Sequence, residues 1–485
     1  MRLSVRRTVA PAPGGTVRHA RGVVIALAML ALGACATYVP APIEPAKTAE
    51  AFAARRLDAP AVRDHIARVL PGAAEPWPPA EWDRAGLLAV ALADNGSLAV
   101  ARAEVEAALA AKITAAETPN PTLGLQAEYA RHEPDQWLYG ISFDFLLPHR
   151  GVRTIDVEAA ELGAAGARAD LMEKTWDVRR ALVAALSDRE SAHRRLDATT
   201  RLADAQDRLI ALQQRRVDAG EDAPTDLNAS QAARLDIEQQ AAGARADVVT
   251  ADAGVASALG VPVAALDGIA IVWPDWGAPP AFAEDGVSRA REAALLSRAD
   301  LASAIDAYSV AEKKLERAIA RQYPQFELKP GYYWDHGIAK WPFEVDFALP
   351  VFNRNEGEIA EAKAAREIAG QKLLALEAAI YGEVDAALRA DAVASESLDA
   401  AHRRGDSLRK QLAHADAALR LGAGDSIDRT NAEVLVLRAE LEAVQAAAQR
   451  QSARNALEDA LHAPLSGPEL ALANAWTVAE SGAGR

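Results

Sequence analysis

The chain has 485 residues, half of them hydrophobic but only 5% aromatic, with one cysteine and a formal charge of -15. One cysteine excludes an internal disulfide framework and any cysteine-rich zinc or iron–sulfur site. The acidic balance excludes a nucleic-acid partner, because nothing neutralises phosphates at the required density. The abundance of Ala, Leu, Glu, Arg and Asp predicts long helices packed through small residues rather than several compact domains.

The N-terminus reads as an address. Arg2, Arg6, Arg7, Arg18 and Arg21 form an acid-free cationic region before the apolar run Gly22 to Ala34, which is the pattern of an export signal. The run ends in Leu32-Gly33-Ala34-Cys35, with the only cysteine at the cleavage point. This resembles the bacterial lipobox, in which the cysteine becomes the lipidated first residue of the mature chain. An incidental buried cysteine is the alternative. The small residues before Cys35 and the tether Val39-Pro40-Ala41-Pro42 after it favour a lipid anchor. Ala36, where an aspartate would retain a lipoprotein, implies sorting to the outer membrane by analogy. Residues 1–34 are thus expected to be a signal peptide and 35–79 a lipidated N-terminal segment. No later stretch is long and apolar enough to span a bilayer as a helix.

Beyond the tether the chain is one unit used twice. Leu98-Ala99-Val100-Ala101 opens a helical run ending at Asn120-Pro121-Thr122-Leu123, and Leu301-Ala302-Ser303-Ala304 opens one ending at Tyr323-Pro324-Gln325-Phe326. Phe143-Asp144-Phe145-Leu146-Leu147-Pro148 matches Val345-Asp346-Phe347-Ala348-Leu349-Pro350, and Asp218-Ala219-Gly220-Glu221 is matched to Gly422-Ala423-Gly424-Asp425. The three offsets are 203, 202 and 204, too nearly constant for chance. No proline interrupts Gly151 to Ala223 or Val351 to Ala463, so both stretches are free to be helical. From Ile359 to Ala387 the apolar positions recur with the coiled-coil period of about 3.5 residues.

Between the helices lie two differently patterned segments. Leu123, Leu125, Ala127 and Tyr129 alternate, then Tyr139, Ile141, Phe143 and Phe145, with His132-Glu133-Pro134-Asp135 between them. In the second unit Phe326, Leu328 and Tyr332-Tyr333-Trp334 precede Asp335-His336-Gly337, and Phe343, Val345, Phe347 and Leu349 follow, opposite Glu344 and Asp346. Period two bounded by turn residues predicts two β-hairpins, 122–148 and 325–350. An aromatic and aliphatic face opposite an acidic one suits a membrane barrel strand with lipid outside and solvent inside. Four strands cannot close a barrel, so oligomerisation is required, and three copies would give twelve strands.

The order helix, hairpin, long helix, turn and helix, repeated once, resembles the TolC-type outer-membrane efflux family from about Ala80 to Leu465. Pro121, Pro324 and Pro350-Val351-Phe352-Asn353-Arg354-Asn355-Glu356-Gly357 are its landmarks, and Asn353 to Ala360 is similar to the heavy-metal efflux branch. The resemblance implies a mainly α protein with two β-hairpins: an internally duplicated coiled-coil tunnel and, in a homotrimer, a shared 12-stranded outer-membrane β-barrel. The repeats are 80–261, turning near residue 220, and 296–463, turning near residue 424. The segments 35–79, 262–295 and 464–485 would form a collar. The implied partners are outer-membrane lipid, a periplasmic adaptor (membrane fusion) protein and an inner-membrane pump of the resistance-nodulation-division type. The implied cargo is metal cations or small toxic molecules. An exit duct for type I protein secretion and a periplasmic coiled-coil scaffold that never enters the membrane are the alternatives.

No catalytic, cofactor or metal site is expected. The nine histidines are scattered, with no i,i+4 pair on a helix, and no nucleophile elbow or phosphate loop is present. His132 and His336 fall in equivalent hairpin loops. Trp77 and Trp82 are expected in the collar, and Trp137 and Trp341 at the membrane interface. Gly220 and Gly424 each interrupt a helical pattern as a C-cap glycine would, and the resemblance makes these turns the tips that meet the adaptor. There Glu221 and Asp425 replace the usual apolar residue. Thr225-Asp226 and Asp428, with Asn431 nearby, start the returning helices, where the resemblance implies a constricting periplasmic gate. A helix dipole alone favours acids there by ~0.3–1 kcal/mol. The family's second acid is replaced by Asn431, and no arginine occupies the matching gate position, although Arg429 is adjacent.

Overall fold

The computed structural model describes residues 37–70, 75–149, 151–280 and 298–470. The export signal and Cys35 lie outside the described residues, as do the ends of the 262–295 and 464–485 segments. The chain divides into two units, Met1–Ala54 and Arg55–Arg485. In the first, α1 (Pro45–Ala53) starts with proline at its first position, where the missing N–H costs nothing, and is exposed throughout.

The second unit is built on two very long helices. The elements are α2 (Pro60–Val69), α3 (Arg84–Asp94), α4 (Gly96–Ala116), β1 (Thr122–Tyr129), β2 (Trp137–Leu147), α5 (Val152–Asp218), α6 (Pro224–Leu259) and α7 (Ala299–Ala320). Then follow β3 (Phe326–Asp335), β4 (Ile338–Lys340), β5 (Phe343–Phe347), α8 (Glu356–Arg420) and α9 (Ser426–Leu461). At 67 residues, α5 runs about 100 Å at ~1.5 Å per residue. No described helix is long and apolar enough to cross a membrane.

Charge and small residues set the packing order. Along its first half α5 lies beside α4 and α7, through Lys112–Glu161 and Lys313–Glu158, both 2.6 Å. Along its second half it lies beside α6, through Arg189–Asp252 at 2.8 Å and Arg234–Asp207 at 2.7 Å. On the other side stands α9, through Arg216–Asp425, Arg208–Glu433 and Arg201–Glu440 at 2.7–2.8 Å. One partner's number rises as the other's falls, so the ladder fixes an antiparallel register. Each exposed rung contributes only ~0–1 kcal/mol. The apolar seam beneath, Leu202, Ala205, Leu209, Ile237, Val434 and Leu437, supplies the larger stabilisation. A second core gathers α2, α3 and the middle of α5 with Trp82, Trp273 and Trp276.

All five strands form one antiparallel sheet. β2 pairs with β1 on one edge and β3 on the other, and β4 and β5 both pair along the free edge of β3 in the same register. The return arm is broken at Trp341-Pro342, where proline has no N–H for the ladder. Its carbonyl still accepts from Gly331 N at 3.0 Å. The sheet is open, with β1 at one margin and β4 and β5 at the other.

The turns correct one assignment. The first helix pair turns on Gly220 at φ +74, with Glu221 N–H bonded to Arg216 O and Gly220 N–H to Val217 O, the Schellman arrangement. In the second pair the left-handed residue is Gly422 at φ +72, with Ala423 N–H on Ala418 O and Gly422 N–H on Leu419 O. Gly424 is therefore not the C-cap glycine. It stays small because a Cβ there would sit 3.1 Å from the Ala418 methyl. The repeat offset at the turn is 202, equal to that at the second proline, and the residue after the cap is Ala423, so only the first turn carries an acid there.

Candidate functional site: the sheet face and the helical tips

Cross-strand register puts Leu123, Leu125, Ala127 and Tyr129 opposite Phe143, Ile141, Tyr139 and Trp137. It continues this face through Phe145–Leu328, Leu147–Phe326 and Phe326–Phe347. One side of the sheet is thus aliphatic and aromatic from margin to margin, and it is exposed: Leu125 by 77% and Phe343 by 66%. Aromatic pairs stiffen it, with ring centroids 5.2 Å apart for Tyr129–Trp137 and 4.7 Å for Tyr332–Trp341. Water would not leave such a patch uncovered.

The opposite side is polar and closely packed. Gly140 faces Tyr333, whose ring fills the space a Cβ would need. Lys329 binds Asp346 at 2.5 Å and lies 3.4 Å from Glu327, while Asp335 holds both His336 and Lys340. The face is mixed in charge, not simply acidic. His336 turns at φ +47, its Nδ1 2.6 Å from Asp335 Oδ1, and His132 is an exposed loop residue. Trp137 and Trp341 belong to the sheet's exposed aromatic set, whereas Trp82 is 2% exposed with Trp77 edge-on at 5.8 Å.

At the far ends of the long helices the two turns are joined. Asp425, named from sequence as a docking residue, is the N-cap of α9: one oxygen accepts from Asp428 N at 2.8 Å and the other from Arg216 at 2.8 Å. Arg216 also lies 2.9 Å from Asp222 and 3.6 Å from Glu221. One guanidinium in the last turn of α5 therefore clasps acids from both turns. Sequence reasoning missed it, because its main partner is 209 residues away; an arginine four residues before a cap glycine was the only local signal. Thr225, Asp226, Asp428 and Asn431 are all exposed. With the corrected offset of 202, Asp226 and Asp428 occupy the same third position of their helices, Pro224 and Ser426 being the first. Arg429 is turned away into Asp416 at 2.9 Å and Glu433 at 2.5 Å. Donating to the Asp416 carboxylate raises its pKa above the ordinary value, so it is committed to the α8–α9 pair.

The chain thus carries an open sheet, apolar on one side, on duplicated helices of great length. The chain belongs to the outer membrane efflux protein family, whose model matches residues 87–261 and 290–462. Among solved structures it is similar to the outer membrane protein VceC of Vibrio cholerae, at 18% identity and TM-score 0.63, over 78% of this chain and 96% of that one. It is similar to the MtrE outer membrane channel of Neisseria gonorrhoeae, in its open state, at 18% identity and TM-score 0.61, over 79% and 89%. It is also similar to CusC, described in terms of transmembrane channel formation, at 17% identity and TM-score 0.63, over 78% and 91%. No curated protein sequence matches it significantly.

Proposed function

We propose that the chain is one third of a lipid-anchored outer-membrane exit duct in a tripartite efflux pump. The observation that carries this reading is the open sheet with one fully apolar, exposed face and two unpaired margins. Three copies joined margin to margin give twelve strands with lipid outside and the Lys329, Asp346 and Tyr333 side within. The helices repeat the logic: Leu235 and Val249 on α6, and Ile368, Leu374 and Val393 on α8, are exposed and would be covered by the neighbouring copies. Residues 35–79, 262–295 and 464–485 form the collar. The clasped tips, with Gly220, Glu221, Gly424 and Asp425, meet a periplasmic adaptor that couples the duct to a resistance-nodulation-division pump. A coiled-coil scaffold would account for the helices but not for the bare aromatic sheet face. The lipobox favours efflux over type I secretion.

Metal cations and small toxic organic molecules are both candidate cargo. The test is a strain lacking this chain, scored for accumulation of both classes, together with reconstitution of purified protein in planar bilayers. Discrete conductance from a trimer, and accumulation reversed by the gene, are the expected results. A monomer without conductance overturns the reading.

The anchor has its own test. Metabolic labelling with a fatty acid should mark the wild type and not Cys35→Ser, and only the wild type should fractionate fully with outer membrane. Trimers should still form without the lipid. Equal labelling of both would remove the anchor from the proposal.

A further inference from the structure

Where α9 ends and α7 begins, both packed on α5, three side chains from three helices meet. Glu173 comes from α5, Asp300 from the first turn of α7, and His462 caps α9. Their donor atoms all lie within 4.8 Å of one another, and His462 Nδ1 is 3.5 Å from Glu173 Oε2. Only 7% of the His462 side chain is exposed. Its ring stacks on Trp176 at 5.2 Å, and Trp176 is fixed in turn by its N–H on Asp459 at 2.8 Å. Glu173 Oε2 is buried without a hydrogen-bond partner.

The repeat supplies an independent observation. His462 stands 202 residues after Gly260, and both residues are left-handed caps, at φ +46 and φ +76. The first unit uses the residue this backbone favours, whereas the second holds an imidazole there against the conformational preference. Such a departure marks a side chain kept for what it contacts.

We infer that Glu173, Asp300 and His462 form a structural site for a divalent transition cation, Zn2+ foremost, which joins the ends of α9 and α7 to α5. One imidazole and two carboxylates are a zinc-type donor set, and tetrahedral bonds of ~2.0–2.2 Å place donors about 3.4 Å apart, close to the His462–Glu173 separation. Arg298 donates to both oxygens of Asp300 at 2.7 and 3.0 Å, the outer hydrogen bonding that orients a ligating carboxylate. Asp300 Oδ2 keeps a lone pair free. Asp177, Asp459 and Glu383 lie around the two ligand carboxylates, with Arg298, Arg180 and Lys174 as the nearby cations.

The probe is Zn2+ itself, titrated calorimetrically into metal-stripped, full-length protein in detergent, with bound zinc counted by elemental analysis. One zinc per protomer is expected, together with a zinc-dependent rise in melting temperature. Glu173→Gln and His462→Gly should each weaken binding at least tenfold, while His402→Gln, on an exposed helix face, should not. His462→Gly relieves the backbone, so it should fold at least as well as the wild type and yet gain nothing from zinc. Absence of zinc binding in the wild type, or wild-type affinity in both ligand variants, overturns the site.

Discussion

The double variant Asp226→Asn, Asp428→Asn is expected to weaken strongly the block of single-channel current by multivalent cations applied from the periplasmic side, and Asp428→Asn alone to weaken it less. Both residues sit at the third position of a returning helix, exposed, beside turns that Arg216 draws together. In the proposed trimer, threefold symmetry sets three copies of each acid around one axis. There like charges repel unless a cation binds between them. Loss of one ring should cost about tenfold in blocking affinity, which is ~1.4 kcal/mol, and loss of both about a hundredfold. The block should also fall as salt is raised, since the Debye length shrinks to ~3 Å at 1 M. Arg216→Ala is the informative contrast. It leaves both acids in place but frees the two turns from each other, so resting conductance should rise while block persists. If the double variant is blocked like the wild type, the acids serve their helix dipoles and nothing more.

Much of this arrangement was legible because it is periodic. Proline-free stretches and the 3.5-residue apolar step predict α5 and α8, and strict alternation across 122–148 and 325–350 predicts strands with one apolar side. Membership of the efflux family rests on the same duplicated order. What periodicity does not carry is which of two nearby glycines takes the left-handed conformation. Gly422 and Gly424 fit the local pattern equally, and the backbone chooses the one six residues before Asp428, as Gly220 stands before Asp226. Nor does it carry contacts between distant segments. Arg216 reaches Asp425, and Glu173 reaches His462, only because α9 lies antiparallel along α5, a register no local window contains. Nor does proline alone mark the interruption at Trp341-Pro342, since Pro330 sits inside β3 and is paired with Phe343.

The same antiparallel register produces a buried charge network, and breaking it should have the largest effect on stability. Arg179 is 2% exposed and donates to Glu458 at 2.5 Å and to Glu469 at 2.5 and 2.9 Å, with its guanidinium 4.7 Å from the Trp176 ring centre. Glu458 and Glu469 are themselves 1% and 2% exposed. Glu458 also accepts from Leu465 N at 3.0 Å, and Arg84 lies 3.9 Å from Glu469. Burial alone would lower the pKa of Arg179, but Glu469 and Glu458 outweigh it and raise it. Arg179→Met would remove the guanidinium from which both buried carboxylates accept, and breaking a buried pair in this way typically costs ~3–5 kcal/mol. The melting temperature of the purified protein should drop by several degrees. The segment Ser466–Leu470, held to α5 through Glu469, should become the first site of limited proteolysis. The triple variant Arg179→Met, Glu458→Leu, Glu469→Leu separates charge burial from lost packing. Replacing a whole buried ion group by apolar residues is often neutral, so it should recover most of the lost melting temperature. If Arg179→Met melts like the wild type, the network contributes no net stability, and the end of α9 is held by the packing of Leu457, Ala460 and Leu461.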